Sequence, residues 1–276
     1  MKNKLFITTC CLFAVITTVR AQHELSVNGF GGFQPVNFSL TEGTNSGNFG
    51  GGAGIGYNYN FNKTWSIGTG VDFSFYGATM KFDRFASSHT DFDVIENTAF
   101  EFTADATDLN ETVSAMLLEI PLTARYTLPI NEKNSLRFIG GFKFGLPLSA
   151  KYTVSAVNLE TRGRYETEDQ EYHDVPEVFM SGKMAEHSGS WDAKMSVQLT
   201  LEAAYRFAIG EQYGLSLGVY FNYGLNDMQG ISDKNPIAFA VNENNPYVVN
   251  SFLDSKYASA IRPMAIGLKV RFDLGL

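Results

Sequence analysis

Seven charged residues fall where a strand would turn them toward one shared interior: Arg125, Arg137, Arg206, Arg271 and Lys143, with the carboxylates Glu119 and Glu202. Lys194 and Lys269, and on the acidic side Asp72, Asp192 and Asp273, extend the same set. Cations and carboxylates crowded into a narrow space have two outcomes. They neutralise one another, because an unpaired ion in a confined interior is costly, or they leave a basic ring that attracts anions and tunes permeation. The four arginines all lie within a few residues of a short turn or of the C-terminus, which places them together at one end.

Other residues have the types for chemistry but not the arrangement. Ser87-Ser88-His89-Thr90-Asp91 and His173-Asp174 contain the groups of a hydrolytic or acyl-transfer site. Such sites are assembled by geometry, so adjacency along the chain says little. Glu166, Glu168, Asp169, Glu171, His173 and Asp174 offer oxygen ligands for Ca²⁺ or Mg²⁺, but the spacing and turn glycine of an EF-hand are missing. They read as a solvated acidic segment. Gly50, Gly52, Gly54 and Gly56 alternate along a strand instead of opening a helix, so they are not a phosphate cradle. The expectation is a nonenzymatic chain with no catalytic residues, no cofactor and no dedicated metal site.

The elements that position the charged set are strands. In Phe49 to Tyr76, Ala53, Ile55, Tyr57, Tyr59 and Phe61 alternate with glycine and asparagine. After the turn at 60–64, Trp65, Ile67, Thr69, Val71, Phe73 and Phe75 alternate with Ser66, Gly68, Gly70, Asp72 and Ser74. A period of two broken by a short polar turn is a hairpin. A water-soluble sheet would show Lys and Glu to solvent. Here the polar face is Gly, Ser and Asn, which suits a crowded lumen, while the large apolar face suits lipid and aromatics gather at the turn as an interface girdle.

The same alternation predicts further strands over 23–33, 113–128, 136–148, 191–207, 213–225 and from Tyr257 to the terminus. The expected fold is therefore an all-β, eight-stranded antiparallel up-and-down transmembrane β-barrel, with short periplasmic turns and long extracellular loops at about 77–112, 151–190 and 226–256. The first of these loops carries eight acids against Lys81 and Arg84. Pro121, Pro147 and Pro263 fall on the inward face, where each needs a bulge or another donor to stand in for its missing N–H.

Residues 1–21 read as a cleaved secretory signal: Lys2 and Lys4, an apolar run from Leu5 to Val19, then Arg20-Ala21. Both cysteines, Cys10 and Cys11, would leave with it, and the formal charge would pass from −8 to −11. Disulfides and thiol chemistry are thereby excluded from the single domain at 22–276, and nucleic acid is a poor partner for that sign of charge.

Leu118-Glu119-Ile120-Pro121-Leu122 opening a membrane strand, the Gly-rich second strand and the terminal strand Pro263 to Leu276 together resemble the outer membrane protein β-barrel domain family. These are small eight-stranded barrels of the PorT-like type, often called porin family proteins. The resemblance spans nearly the whole predicted mature chain, and its motifs are structural. It implies an integral protein of the Gram-negative outer membrane, in contact with lipid and lipopolysaccharide and inserted by the barrel assembly machinery. PorT-like members are implicated in secretion systems, which implies a loop-binding protein or secretion partner. Such barrels commonly finish on an aromatic residue, whereas this chain ends Phe272-Asp273-Leu274-Gly275-Leu276. The leading expectation is a membrane platform whose acidic loops bind or assemble with partners. The alternative is a narrow channel or transport component with a basic lumen, and a rim-located enzyme comes third.

Overall fold

Alternating side chains build long strands, and the computed structural model pairs them into a ring. It describes residues 22–93, 97–165, 170–173, 175, 178–210, 212–240 and 246–276; the predicted signal and its two cysteines lie outside the described residues. The strands are β1 (Gln22–Phe33), β2 (Val36–Leu40), β3 (Thr44–Gly47), β4 (Phe49–Asn60), β5 (Trp65–Asp93), β6 (Thr98–Pro129), β7 (Asn134–Tyr165), β8 (Gln170–His173), β9 (Ser181–Ser190), β10 (Ser196–Ile209), β11 (Tyr213–Gly224), β12 (Ile237–Phe239), β13 (Tyr247–Val249) and β14 (Ala258–Gly275). Eight of them pair antiparallel in the order β1-β4-β5-β6-β7-β10-β11-β14, and β14 returns to β1, with Val27 opposite Phe272.

At the lower end of the ring the turns are short. Asn62 Oδ1 accepts from the amides of Thr64 and Trp65, both at 2.8 Å, and Asn131 Oδ1 accepts from Lys133 and Asn134 at 3.0 and 2.8 Å. Each asparagine side chain thus closes its turn by mimicking a backbone carbonyl. Above these turns runs a belt in which Val27, Ile55, Phe73, Leu122, Phe142, Leu201, Val219 and Leu268 point outward and exposed, while Ser26, Asp72, Glu119, Gln198 and Asp273 are buried inside.

Higher up, the polarity reverses on the same strands. The inward side of β5 passes from Asp72 and Ser74 through Tyr76 and Ala78 to Met80, Phe82 and Phe85, all buried. The upper section is a head with its own apolar core, joined by Phe100, Phe102, Leu109, Val154, Leu159 and Trp191.

This corrects the loop expectation. The described residues form fourteen strands, and most of 77–112 and 151–190 continues β5, β6 and β7 or forms β8 and β9. The reason is a matched change of phase. Asp83 and Arg84 are both exposed between buried Phe82 and Phe85, and Thr107 and Asp108 between buried Ala106 and Leu109. Phe82 still pairs with Leu109 and Phe85 with Ala106, so the two strands shift together, with Asp108 at a left-handed φ of 49°.

The segment 226–256 is not an open loop either. Its described part folds back over the head, with the β12–β13 hairpin and a 3-10 turn, η1 (Phe252–Asp254), packed inside. A further correction concerns the sixth predicted strand. It begins at Ser196 rather than Trp191, which leaves Asp192 and Lys194 exposed and outside the lumen set.

The inward prolines are accommodated locally. Pro147 sits at the bulge where Met116 and Leu117 face Ser149 and Pro147, and the β2–β14 register shifts just below Pro263, between Ser259 and Arg262. Pro121 leaves β6 in register, with Thr69 opposite Leu122 and Asp72 opposite Glu119 on either side of it.

Candidate functional site

The inward positions of the belt form a stack of ion pairs. In the lowest layer Glu24 lies between two arginines: its Oε1 accepts from Arg125 Nη1, and its Oε2 from Arg137 Nη2 at 2.9 Å. Arg137 Nη1 reaches Asp273 Oδ2 at 2.6 Å, and Arg206 Nε lies 3.7 Å from the same oxygen. Arg125 also donates to Ser66 Oγ at 2.8 Å and Asn60 Oδ1 at 2.9 Å.

The middle layer centres on Lys143, whose Nζ sits 3.0 Å from Asp72 Oδ2 and 3.0 Å from Glu119 Oε2. Glu119 accepts from Ser74 Oγ (2.7 Å), Tyr76 Oη (2.8 Å) and Gln198 Nε2 (2.6 Å) as well. Asp72 has room because its neighbour across the strand pair is Gly54, where a Cβ would stand 2.0 Å from Asp72 Oδ1. On the opposite wall Glu202 Oε2 pairs with Arg271 Nη2 at 2.8 Å and faces Lys269 Nζ at 3.4 Å. Phe30 lies between the two lysines, 5.2 and 5.5 Å from ring centre to Nζ.

The seven charged residues singled out from the sequence fall into three ion-paired groups on the inward side: Arg125, Arg137 and Arg206 around Glu24 and Asp273, Lys143 and Glu119 with Asp72, and Glu202 with Arg271 and Lys269. Among them lies a cavity of about 50 Å³ lined by Asn28, Asn58, Asp72, Thr123, Lys143 and Lys269. That is room for a few waters, each needing about 10–15 Å³ of such space.

Sequence reasoning missed Glu24, Asn28 and Phe30 of β1 and the Tyr76–Gln198 pair. Glu24 was open to detection, since it alternates with Leu25 and Val27 and so shares the inward parity.

The histidine clusters stay apart from this stack. Ser87, His89 and Asp91 share one face of β5 in the head, with His89 Nε2 3.6 Å from Asp91 Oδ2, but no hydrogen bond joins Ser87 to His89. Ser88 instead donates to Glu101 at 2.6 Å. Burial pushes the His89 imidazole below its ordinary value, against the pull of Asp91. His173 Nε2 lies 3.7 Å from Glu171, while Glu166, Glu168, Asp169 and Asp174 lie outside the described residues. No group of three or more His, Cys, Asp or Glu is placed to hold a metal among the described residues.

Residues 19–230 match a family described as outer membrane protein beta-barrel domain. No curated protein matches the sequence. Among solved structures, the attachment invasion locus protein Ail of Yersinia pestis aligns over 92% of this chain and 99% of its own, at 9% identity and a TM-score of 0.28. The translocator domain of the autotransporter NalP from Neisseria meningitidis aligns over 99% and 96%, at 8% identity and a TM-score of 0.22.

Proposed function

From the premise that this chain belongs to the outer membrane β-barrel domain family and resides in the outer membrane, we propose that it is a nonenzymatic platform. In this reading the eight-strand ring spans the bilayer as a closed barrel. The turns at 60–64, 129–134 and 209–213 face the periplasm, and the head stands outside to bind or assemble with a partner protein. Rigid scaffolds commonly present recognition on their exposed rims.

The observation that carries this reading is the filled lumen. An eight-strand ring is just wide enough for side chains, and here they interlock as buried pairs around Lys143 and between Glu24, Arg137 and Asp273. A stack of this kind stiffens the ring and leaves no open path for a solute. The head, meanwhile, exposes Asp83, Glu101, Asp108 and Glu160 and buries the aromatic side chains Phe82, Phe85, Phe100 and Phe102.

One feature favours a narrow, anion-attracting channel as the second reading. Six cationic side chains (Arg125, Arg137, Lys143, Arg206, Lys269, Arg271) face five acidic ones (Glu24, Asp72, Glu119, Glu202, Asp273), and the Arg206 side chain is 22% exposed at the lower mouth. Single-channel recording on residues 22–276 refolded into planar bilayers separates the two. The platform reading expects a silent protein. Steady anion-selective openings, altered when Arg125, Arg137, Arg206 and Arg271 are changed to serine, would replace it with the channel.

A further inference from the structure

The head closes over an acid with no cation. Glu111 of β6 is fully buried, with Met80 of β5 and Val154 of β7 beside it in the sheet. Its Oε2 accepts from the Phe252 amide at 2.9 Å and its Oε1 bonds the Ser251 hydroxyl. Ser251 also caps η1, accepting from the Leu253 amide at 3.1 Å. This one carboxyl therefore holds the start of the turn that carries Phe252 and Leu253 into the core. Phe252 stacks on Phe82 at 4.4 Å and meets Phe85 edge-on at 4.8 Å.

The charged and titratable groups facing Glu111 are few. From β7 comes Tyr152, whose hydroxyl donates to the Val249 carbonyl at 2.7 Å. From the cap comes Asp254, which accepts from the Asp192 amide at 2.8 Å and is matched to Lys234 at 2.8 Å. That cation is already committed, and Asp254 adds like-charge repulsion. His187 of β9 rests against Tyr247 of β13, ring centres 5.3 Å apart. No basic side chain pairs with Glu111 among the described residues.

We propose that Glu111 is a proton-controlled latch: its protonated carboxyl holds the segment 246–256, the cap, down on the head, and loss of that proton releases the Ser251–Ser255 turn and uncovers the aromatic floor beneath. The physical reason is the desolvation cost of a buried carboxylate that has no cation beside it. Detaching the turn is the shortest route to water. Burial first, and Asp254 second, push the Glu111 carboxyl up to about 8, against its bonds to Ser251 and the Phe252 amide; once protonated, Glu111 has the Ser251 hydroxyl oxygen as the acceptor for its own O–H. A raised carboxyl contributes stability that is complete below its unfolded value of 4.5, declines above it, and is lost as pH passes about 8. This latch stands independently of the platform reading, because it concerns the head whatever binds there.

Two cysteine reporters test it in the refolded chain. Both stand on β13 of the cap: Val249 is buried on its inner side and Val248, beside it, is 44% exposed. The alkylation rate of Val249→Cys divided by that of Val248→Cys removes the reagent's own pH dependence. Between pH 7 and 10 the ratio is expected to rise about tenfold and to level off above about pH 9, since one released proton shifts the opening equilibrium by up to about ten per pH unit only until the closed-state carboxyl has itself ionised near 8. Glu111→Gln should abolish the rise, and His187→Gln should leave it in place. A flat ratio in the parent, an unchanged rise in Glu111→Gln, or its loss in His187→Gln would overturn the latch. Should Glu111→Gln not fold, infrared spectroscopy of the parent decides. A protonated-carboxyl band present at pH 7 must vanish with the midpoint of the alkylation rise, and its absence would equally overturn the proposal.

Discussion

Lys143 is the residue on which the lumen's balance turns. It is buried, and it stands 3.0 Å from each of two buried carboxylates, Asp72 and Glu119. Removing one partner of a buried ion pair costs far more than removing all of them, since a lone charge remains. Lys143→Met is therefore expected to lower stability by about 3–5 kcal/mol, read as a shift in the urea midpoint of the detergent-folded chain. The triple variant Lys143→Met, Asp72→Asn, Glu119→Gln should recover most of that loss. Failure to recover would mean that the lysine acts through its packing on Phe30 rather than its charge. The parity of β6 and β7 made Glu119 and Lys143 legible in the sequence, because Ile120 and Phe142 beside them point out. The meeting of Glu24 with Arg137, 113 positions apart, was not legible. Only ring closure brings β1 and β7 within reach across the lumen. Glu111 was hidden for another reason: it stands among eight acids that read as solvated, and no local signal marks one of them as buried.

At the level of the strand, alternation in the belt and alternation in the head are the same pattern with opposite solvents. The belt was legible from end to end because glycine and serine opposite phenylalanine have only one sensible assignment. The head was not, because β5 and β6 each insert one residue and thereby break the count. That insertion depends on Asp108, whose φ of 49° suits asparagine, aspartate or glycine but not a branched side chain. Asp108→Val should cost about 1–2 kcal/mol of head stability, whereas Asp108→Gly should be nearly neutral, as measured by protection of head amides from hydrogen exchange. The belt has its own test. Leu201→Arg on the outward face of β10 is expected to oppose insertion by about 2–4 kcal/mol near the bilayer midplane. Thr112→Arg, outward and exposed on β6 in the head, should insert as well as the parent. Equal tolerance would mean that the belt does not lie in lipid.

The whole molecule consists of one continuous set of strands crossing two unlike interiors, an ionic one below and an aromatic one above. β5, β6, β7 and β14 run through both, and Tyr76 of the aromatic core donates to the lumen's Glu119. Stability carried by such separate cores need not be lost together, and local opening follows where contacts are fewest. Phe252 links the cap to the aromatic core, fully buried against Phe82, Phe85 and Tyr257. Phe252→Ala should remove about 3–5 kcal/mol, yet that loss should be confined to the head. Amides of 80–86 and 100–109 would exchange faster, while those of 66–75 and 197–205, held by belt hydrogen bonds and lumen ion pairs, would keep their parental rates. Faster exchange in the belt as well would show that the two interiors fold as one cooperative unit. The head would then be a structural extension of the ring rather than a separately tunable surface upon it.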